Sequence, residues 1–291
     1  MTTATAPTTR TLDAPGATLT YDVRANDASA ERPLLIIGSP MGAGGFVTLA
    51  SHFPDRTVVT YDPRGVERST KADPATESTP DQHADDIHAV IQAIGGGPVD
   101  LFASSGGAVN ALALVARHPT DVATLVAHEP PLGAITEDRA ASFAATEDIR
   151  DTYQRSGFGH AMAKFILVVS HEGPIPDDFA QRPVDPAMFG LPTADDGNRT
   201  DPLLFQNVIT CTHYEPEFDS LRAAPTTIVV GVGAASGQQM AARGGRAVAE
   251  RLGIDPVTFP GGHDGFLGGE YGSTGEPEAF AAKLREVLAQ A

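Results

Sequence analysis

The 291-residue chain has a single cysteine, Cys211, and no tryptophan, and its 20 basic residues are outnumbered by 37 acidic ones. One thiol cannot close an intrachain disulfide, and no Cys/His spacing resembles a structural zinc site. A net charge of −17 without a basic cluster argues against nucleic-acid and anionic-membrane binding. No apolar run approaches the roughly 20 residues that span a bilayer, and the opening stretch "MTTATAPTTRTLDAPG" lacks the apolar core of a signal peptide. These absences lead to the expectation of a cytoplasmic protein whose partner is a small molecule, with no nucleic acid and no membrane. Whether it forms a homo-oligomer is left open.

What is present is a recurring pattern. Short apolar runs rich in β-branched residues appear at 32–40, 55–63, 98–105, 122–130, 226–233 and 256–262, and read as buried strands of a mostly parallel sheet. Helical periodicity lies between several of them: Ile87, Val90, Ile91 and Ile94 fall on one face, as do Phe280, Leu284, Val287 and Leu288. Alternating strand and helix implies an α/β fold with helices on both faces of the sheet. The alternation stops between about 133 and 222, where one helix is expected over "EDIRDTYQRSGFGHAMAKFILVVS" (147–170), followed by a Pro-, Asp- and Gly-rich stretch. That is too long for a loop, so the reading is a core from 1–132, with a disordered tail over about 1–10, an inserted helical cap over 133–222, and the rest of the core over 223–291. Such a cap would cover the carboxyl ends of the strands, where open α/β sheets bind ligands.

In "VDLFASSGGAVNALALVARHP" (99–119) a strand must turn sharply into a helix. The residues two before and two after the apex of such a turn have to be small. With Ser105 as apex they are Ala103 and Gly107; with Ser104 one would be Phe102, so Ser105 is the apex. The turn resembles the G-x-S-x-G nucleophile elbow of the α/β-hydrolase fold, with alanine in place of the first glycine. Three further stretches stand in that family's order: "LLIIGSPMGAGGF", with Ile37 where a His-Gly is common; "YDPRGVERS", with Glu67 in place of a glycine; and "FPGGHDGFL" after the last strand. The resemblance extends from about residue 17 to the end and implies an α/β-hydrolase fold that needs no cofactor and no metal.

Within that resemblance the chemistry needs a base for the serine hydroxyl, and among nine histidines His263, on a glycine-flanked loop after the final strand, is the candidate. The carboxylate that orients it commonly follows the penultimate strand, but no Asp or Glu lies between Asp219 and Glu250. Glu129, in "LVAHEPPLG" at the end of the strand that follows the elbow helix and before Pro130 and Pro131, is the alternative position, with Asp264 as second candidate. The order Ser105, Glu129, His263 resembles that of fungal zearalenone lactone hydrolases; haloalkane dehalogenases can also place an acid there but use an aspartate nucleophile. The resemblance further implies oxyanion donors at the Gly106 N–H and at Ser39, since Pro40 has no N–H, with Met41 as fallback. Met41, His128, Met162, Phe165, Phe189, Leu191 and Phe205 are candidate substrate contacts, and the cap residues among them could equally form the cap's own core.

The function expected is therefore hydrolysis of a carboxylic ester or lactone through an acyl-enzyme, the lactone being bulky and of polyketide type. Two other classes stay open: a fold relative acting as a binding protein or cofactor-free lyase, and an oxidoreductase, because "GVGAAS" resembles a truncated G-x-G-x-x-G.

Overall fold

The computed structural model describes residues 6–291. A hairpin opens it, β1 (Thr8–Ala14) and β2 (Ala17–Arg24), turning at Gly16 with φ +73. Then come β3 (Leu34–Ile37), the short helix α1 (Val47–Ser51), β4 (Val58–Asp62), β5 (Thr70–Lys71), α2 (Pro80–Ala93), β6 (Val99–Ser104), α3 (Gly106–Arg117) and β7 (Val122–His128). A helical insertion follows: α4 (Arg139–Ser156), α5 (Phe158–Val169), a π-helix (Pro202–Asn207), α6 (Val208–Thr212) and α7 (Phe218–Ala223). The chain then returns to the sheet with β8 (Thr227–Gly233), α8 (Met240–Leu252), β9 (Val257–Phe259) and α9 (Pro277–Gln290).

The strands lie in the order β1-β2-β4-β3-β6-β7-β8-β9, with β5 beside β2. Pairing is parallel from β4 through β9 and antiparallel around β2. Because side chains alternate across a strand, each central strand serves two cores. Leu35, Ile37, Leu101, Ala103, Leu125 and Ala127 pack with α2, α3 and α8. Leu34, Ile36, Phe102 and Val126 pack with α1 and α9 on the other face. The insertion has a third cluster of its own, built on Ile149, Tyr153, Val168, Phe179 and Leu204.

Three expectations need correction. The disorder expected over about 1–10 does not hold for Thr8–Arg10, which pair with Tyr21–Val23; residues 1–5 of that stretch lie outside those described. The single helix expected over 147–170 is two helices, divided at Gly157, whose φ of +81 is left-handed and ends α4. Met162, Phe189, Leu191 and Phe205 line no part of the main cavity. Met162 and Phe205 pack in the insertion's own core, Phe189 is exposed at the end of a short 3-10 turn, and Leu191 is half-buried.

Candidate active site

The parallel strands end where side chains can meet. β6 runs straight into α3 through Ser105, whose backbone sits at φ +58, ψ −129, a region that non-glycine residues occupy only when their surroundings enforce it. Here the enforcement is a hydrogen bond from Ser105 N–H to the His128 carbonyl at 2.9 Å and one from Ala108 N–H to the Ser105 carbonyl at 2.9 Å. The turn needs glycine after the serine for a reason other than crowding by Ala103. A Cβ on Gly107 would lie 2.7 Å from Gly38 Cα, and one on Gly106 would lie 2.5 Å from the Ser39 carbonyl oxygen. The elbow is thus pressed against the chain leaving β3, which brings Ser39 beside the first helical residue of α3, whose N–H has no intrahelical partner.

Glu129 follows β7 directly, at φ +48, and is completely buried. One carboxylate oxygen accepts the Gly233 N–H at 2.8 Å, and the other lies 2.7 Å from His263 Nδ1. Burial alone would raise this carboxyl, but the hydrogen bond from His263, together with the neighbouring imidazoles, holds it down at about 2. With Nδ1 engaged, Nε2 is the His263 nitrogen available for proton exchange. Asp264 is used elsewhere, accepting a hydrogen bond from the Ser273 hydroxyl. The Gly233 N–H goes to Glu129, and the N–H groups of Ala234 and Ala235 go to the Phe259 and Gly261 carbonyls. The glycine run after β8 is therefore committed to internal hydrogen bonds, which leaves it poorly suited to cradle a dinucleotide phosphate.

Ser105 and His263 both line one cavity of about 430 Å³, together with Ser39, Met41, Gly106 and, of the expected insertion residues, Phe165. Among the described residues the Ser105 hydroxyl makes no hydrogen bond; contacts of this type tighten when substrate is held. His128 does not reach the cavity. Its ring lies in the core among Phe102, Phe259, Phe266 and Phe280, with Nδ1 3.4 Å from the Ser104 hydroxyl, and burial keeps it neutral down to about 4. Residues of the insertion and of α8 that the sequence did not single out complete the walls, among them Val168, Leu203, Asn207, Cys211 and Met240. Periodicity marks such residues only as apolar or small, and nothing local says which wall they face.

One group of metal-ligand side chains occurs among the described residues, His88, His118 and Asp121, none of which lines the cavity. The two imidazoles are stacked at 4.0 Å with planes 9° apart, so their lone pairs lie in nearly parallel planes. His88 is hydrogen-bonded to Asp121 at 2.6 Å and His118 to Asp85 at 2.9 Å. The arrangement reads as a polar latch between α2 and the end of α3.

A serine at a strained turn after a parallel strand, with a buried carboxylate after β7 hydrogen-bonded to a histidine after β9, marks a class of fold. Residues 34–207 match the family described as alpha/beta hydrolase fold, and the chain belongs to that family. A curated relative, the uncharacterized hydrolase YraK of Bacillus subtilis (strain 168), is 29% identical over 285 residues, covering 96% of this chain and 95% of its own. Two solved structures share the fold: an alpha/beta hydrolase from Sphaerobacter thermophilus DSM 20745 and a thermophilic esterase from Thermogutta terrifontis. The first has a TM-score of 0.65 at 20% identity, covering 96% of this chain and 100% of that one. The second has a TM-score of 0.66 at 19% identity, covering 98% of each. The chain is a member of a hydrolase family whose fold it shares.

Proposed function

We propose that the protein is a serine hydrolase of neutral, apolar carboxylic esters or lactones, acting through an acyl-enzyme. The observation that carries this reading is the 2.7 Å hydrogen bond between the buried Glu129 carboxylate and His263, on the wall of the cavity that also holds Ser105. Ser105 Oγ attacks the carbonyl carbon while its proton passes to His263 Nε2, and Glu129 stabilises the imidazolium so formed. The N–H groups of Gly106 and Ser39 receive the developing oxyanion. Collapse expels the alcohol, which takes the proton from His263, and leaves the acyl-enzyme; a water deprotonated by His263 then releases the acid and frees Ser105.

The substrate class follows from the walls. Phe165, Ile166, Val169, Leu203 and Met240 supply apolar surface, and the volume is that of a site for a drug-sized ligand. Among the described residues, no arginine or lysine lines the cavity to pair with a charged acyl group. This chemistry suits a bulky neutral lactone of the kind suggested by the Ser–Glu–His order, and it fits equally an open-chain ester of similar bulk. The lack of an acid after β8 would by itself favour a binding protein or cofactor-free lyase; the bonds of Glu129 to both Gly233 and His263 support the hydrolase reading instead.

The test is turnover of a panel of p-nitrophenyl esters and macrolactones. Ser105→Ala abolishes it and abolishes labelling by a fluorophosphonate, whereas Ser104→Ala keeps most of both. Equal losses in the two variants would overturn the assignment of the nucleophile.

A further inference from the structure

The loop that carries Ser39 is tied to the helical insertion by one buried contact spanning 168 positions of sequence: the Ser39 hydroxyl donates to Asn207 Oδ1 at 2.8 Å. Both residues are buried. The Asn207 amide nitrogen donates to the Pro202 carbonyl at 3.0 Å, which fixes the oxygen as the end that faces Ser39. One turn further on, the Cys211 thiol lies 3.4 Å from the same oxygen. Cys211 Sγ and the Ser39 carbonyl oxygen stand 3.0 Å and 2.5 Å from the point a Cβ on Gly106 would occupy. Ser39 and Gly106, the residues assigned the oxyanion N–H groups, are therefore packed on each other, with Asn207 and Cys211 closing the nest.

The element that supplies Asn207 is built to hold it. Asp201 caps the π-helix by accepting from Leu203 and Leu204 N–H groups at 2.9 Å. Gln206, the preceding residue, accepts the Ser78 N–H at 2.8 Å and so grips the core on a second side. π-Helical turns are rare and recur at functional sites, where they aim a particular side chain.

We propose that Asn207 is a positioning residue: its side-chain oxygen holds the Ser39 segment so that the Ser39 and Gly106 N–H groups converge on one point, and the insertion thereby sets the geometry of the oxyanion hole. The proposal rests on the serine-hydrolase reading above. Asn207 takes no part in bond making; it acts through Ser39.

A misplacement of about 1 Å at a reacting centre can cost up to about 100-fold in rate. In the full-length protein, with a p-nitrophenyl ester as substrate, Asn207→Ala lowers kcat by about 10-fold to 100-fold and leaves KM within about twofold. Ser39→Ala, which breaks the same bond from the other side and covers the case of a poorly folding Asn207 variant, does the same. The double variant is no worse than the more impaired single one. Affinity for a trifluoromethyl ketone, whose hemiketal with Ser105 carries the oxyanion, falls in parallel with kcat. An unchanged kcat, a rise in KM alone, or additive losses would overturn the proposal. Retained turnover in Ser105→Ala would instead overturn the reading beneath it.

Discussion

A buried carboxylate with two committed oxygens has little freedom, and Glu129 is such a residue. Its backbone has a left-handed φ of +48, and at the end of β7 its two oxygens are bound by the N–H of Gly233, the last residue of β8, and by Nδ1 of His263, on the loop after β9. Glu129→Gln keeps size and shape but removes the charge that stabilises the imidazolium. It lowers kcat/KM by about 10³-fold to 10⁴-fold, by analogy with amide replacement of a triad acid, while the circular dichroism spectrum stays native. Asp264→Asn stays within a few-fold of the parent, because that carboxylate serves Ser273. If Asp264→Asn were the dead variant, the pairing assigned to Glu129 would be wrong. Glu129 stood out in the sequence because no acid follows β8 before Glu250, which leaves Glu129 at the end of β7 and Asp264 beside His263 as the candidates. Asn207 was not legible: an asparagine in "LLFQNVIT" carries no local sign of a partner 168 positions away, and the π-turn that aims it has no sequence signature.

The elements that were easiest to read are those buried on both sides. β3, β6, β7 and β8 announce themselves as apolar runs because every residue must face one core or the other. The β1–β2 hairpin was missed, since β1 reads "TTRTLDA" and is largely exposed at the sheet edge. The split at Gly157 was missed because the apolar spacing continues through it, and only a left-handed φ marks the break. Glycine also separates two cases that look alike in sequence. Gly107→Ala places a Cβ 2.7 Å from Gly38 Cα, where both sides are backbone and neither can yield. It costs about 1–3 kcal/mol of stability in urea denaturation and reduces turnover, because the displaced segment leads to Ser39. Gly245→Ala, in α8, meets Val232 Cγ2 at 3.4 Å, an ordinary contact, and gains about 0.5–1 kcal/mol from helix propensity. Equal effects in the two variants would mean that the elbow is not pressed against β3 as described.

For the molecule as a whole, stability against acid is set by groups that folding forbids to change charge. His128, enclosed by four phenylalanines, is pushed down from 6.5 to about 4 by burial. His83, buried on α2, is pushed down to about 3 by burial and by the charges of Arg64 and Lys71. Below about pH 6.5 the unfolded chain takes up protons on these two rings while the folded chain does not. Their contribution is therefore complete above pH 6.5 and shrinks as the pH falls, by up to about 1.4 kcal/mol per pH unit for each ring, until the folded values are reached. Glu129 and Asp138, both held down at about 2, add a second loss at lower pH: their stabilisation is present above their ordinary carboxylate values and disappears as the pH falls toward 2. For Asp138 burial acts upward, and the bidentate pair with Arg243 overcomes it. The urea midpoint accordingly falls from pH 7 to pH 5, before any carboxylate of ordinary affinity is largely protonated. His128→Phe, placing a fifth ring in the aromatic cluster, flattens that slope by about one proton's worth. A midpoint that stayed level between pH 7 and pH 5, or a slope unchanged by His128→Phe, would mean that His128 is not held neutral by the core around it.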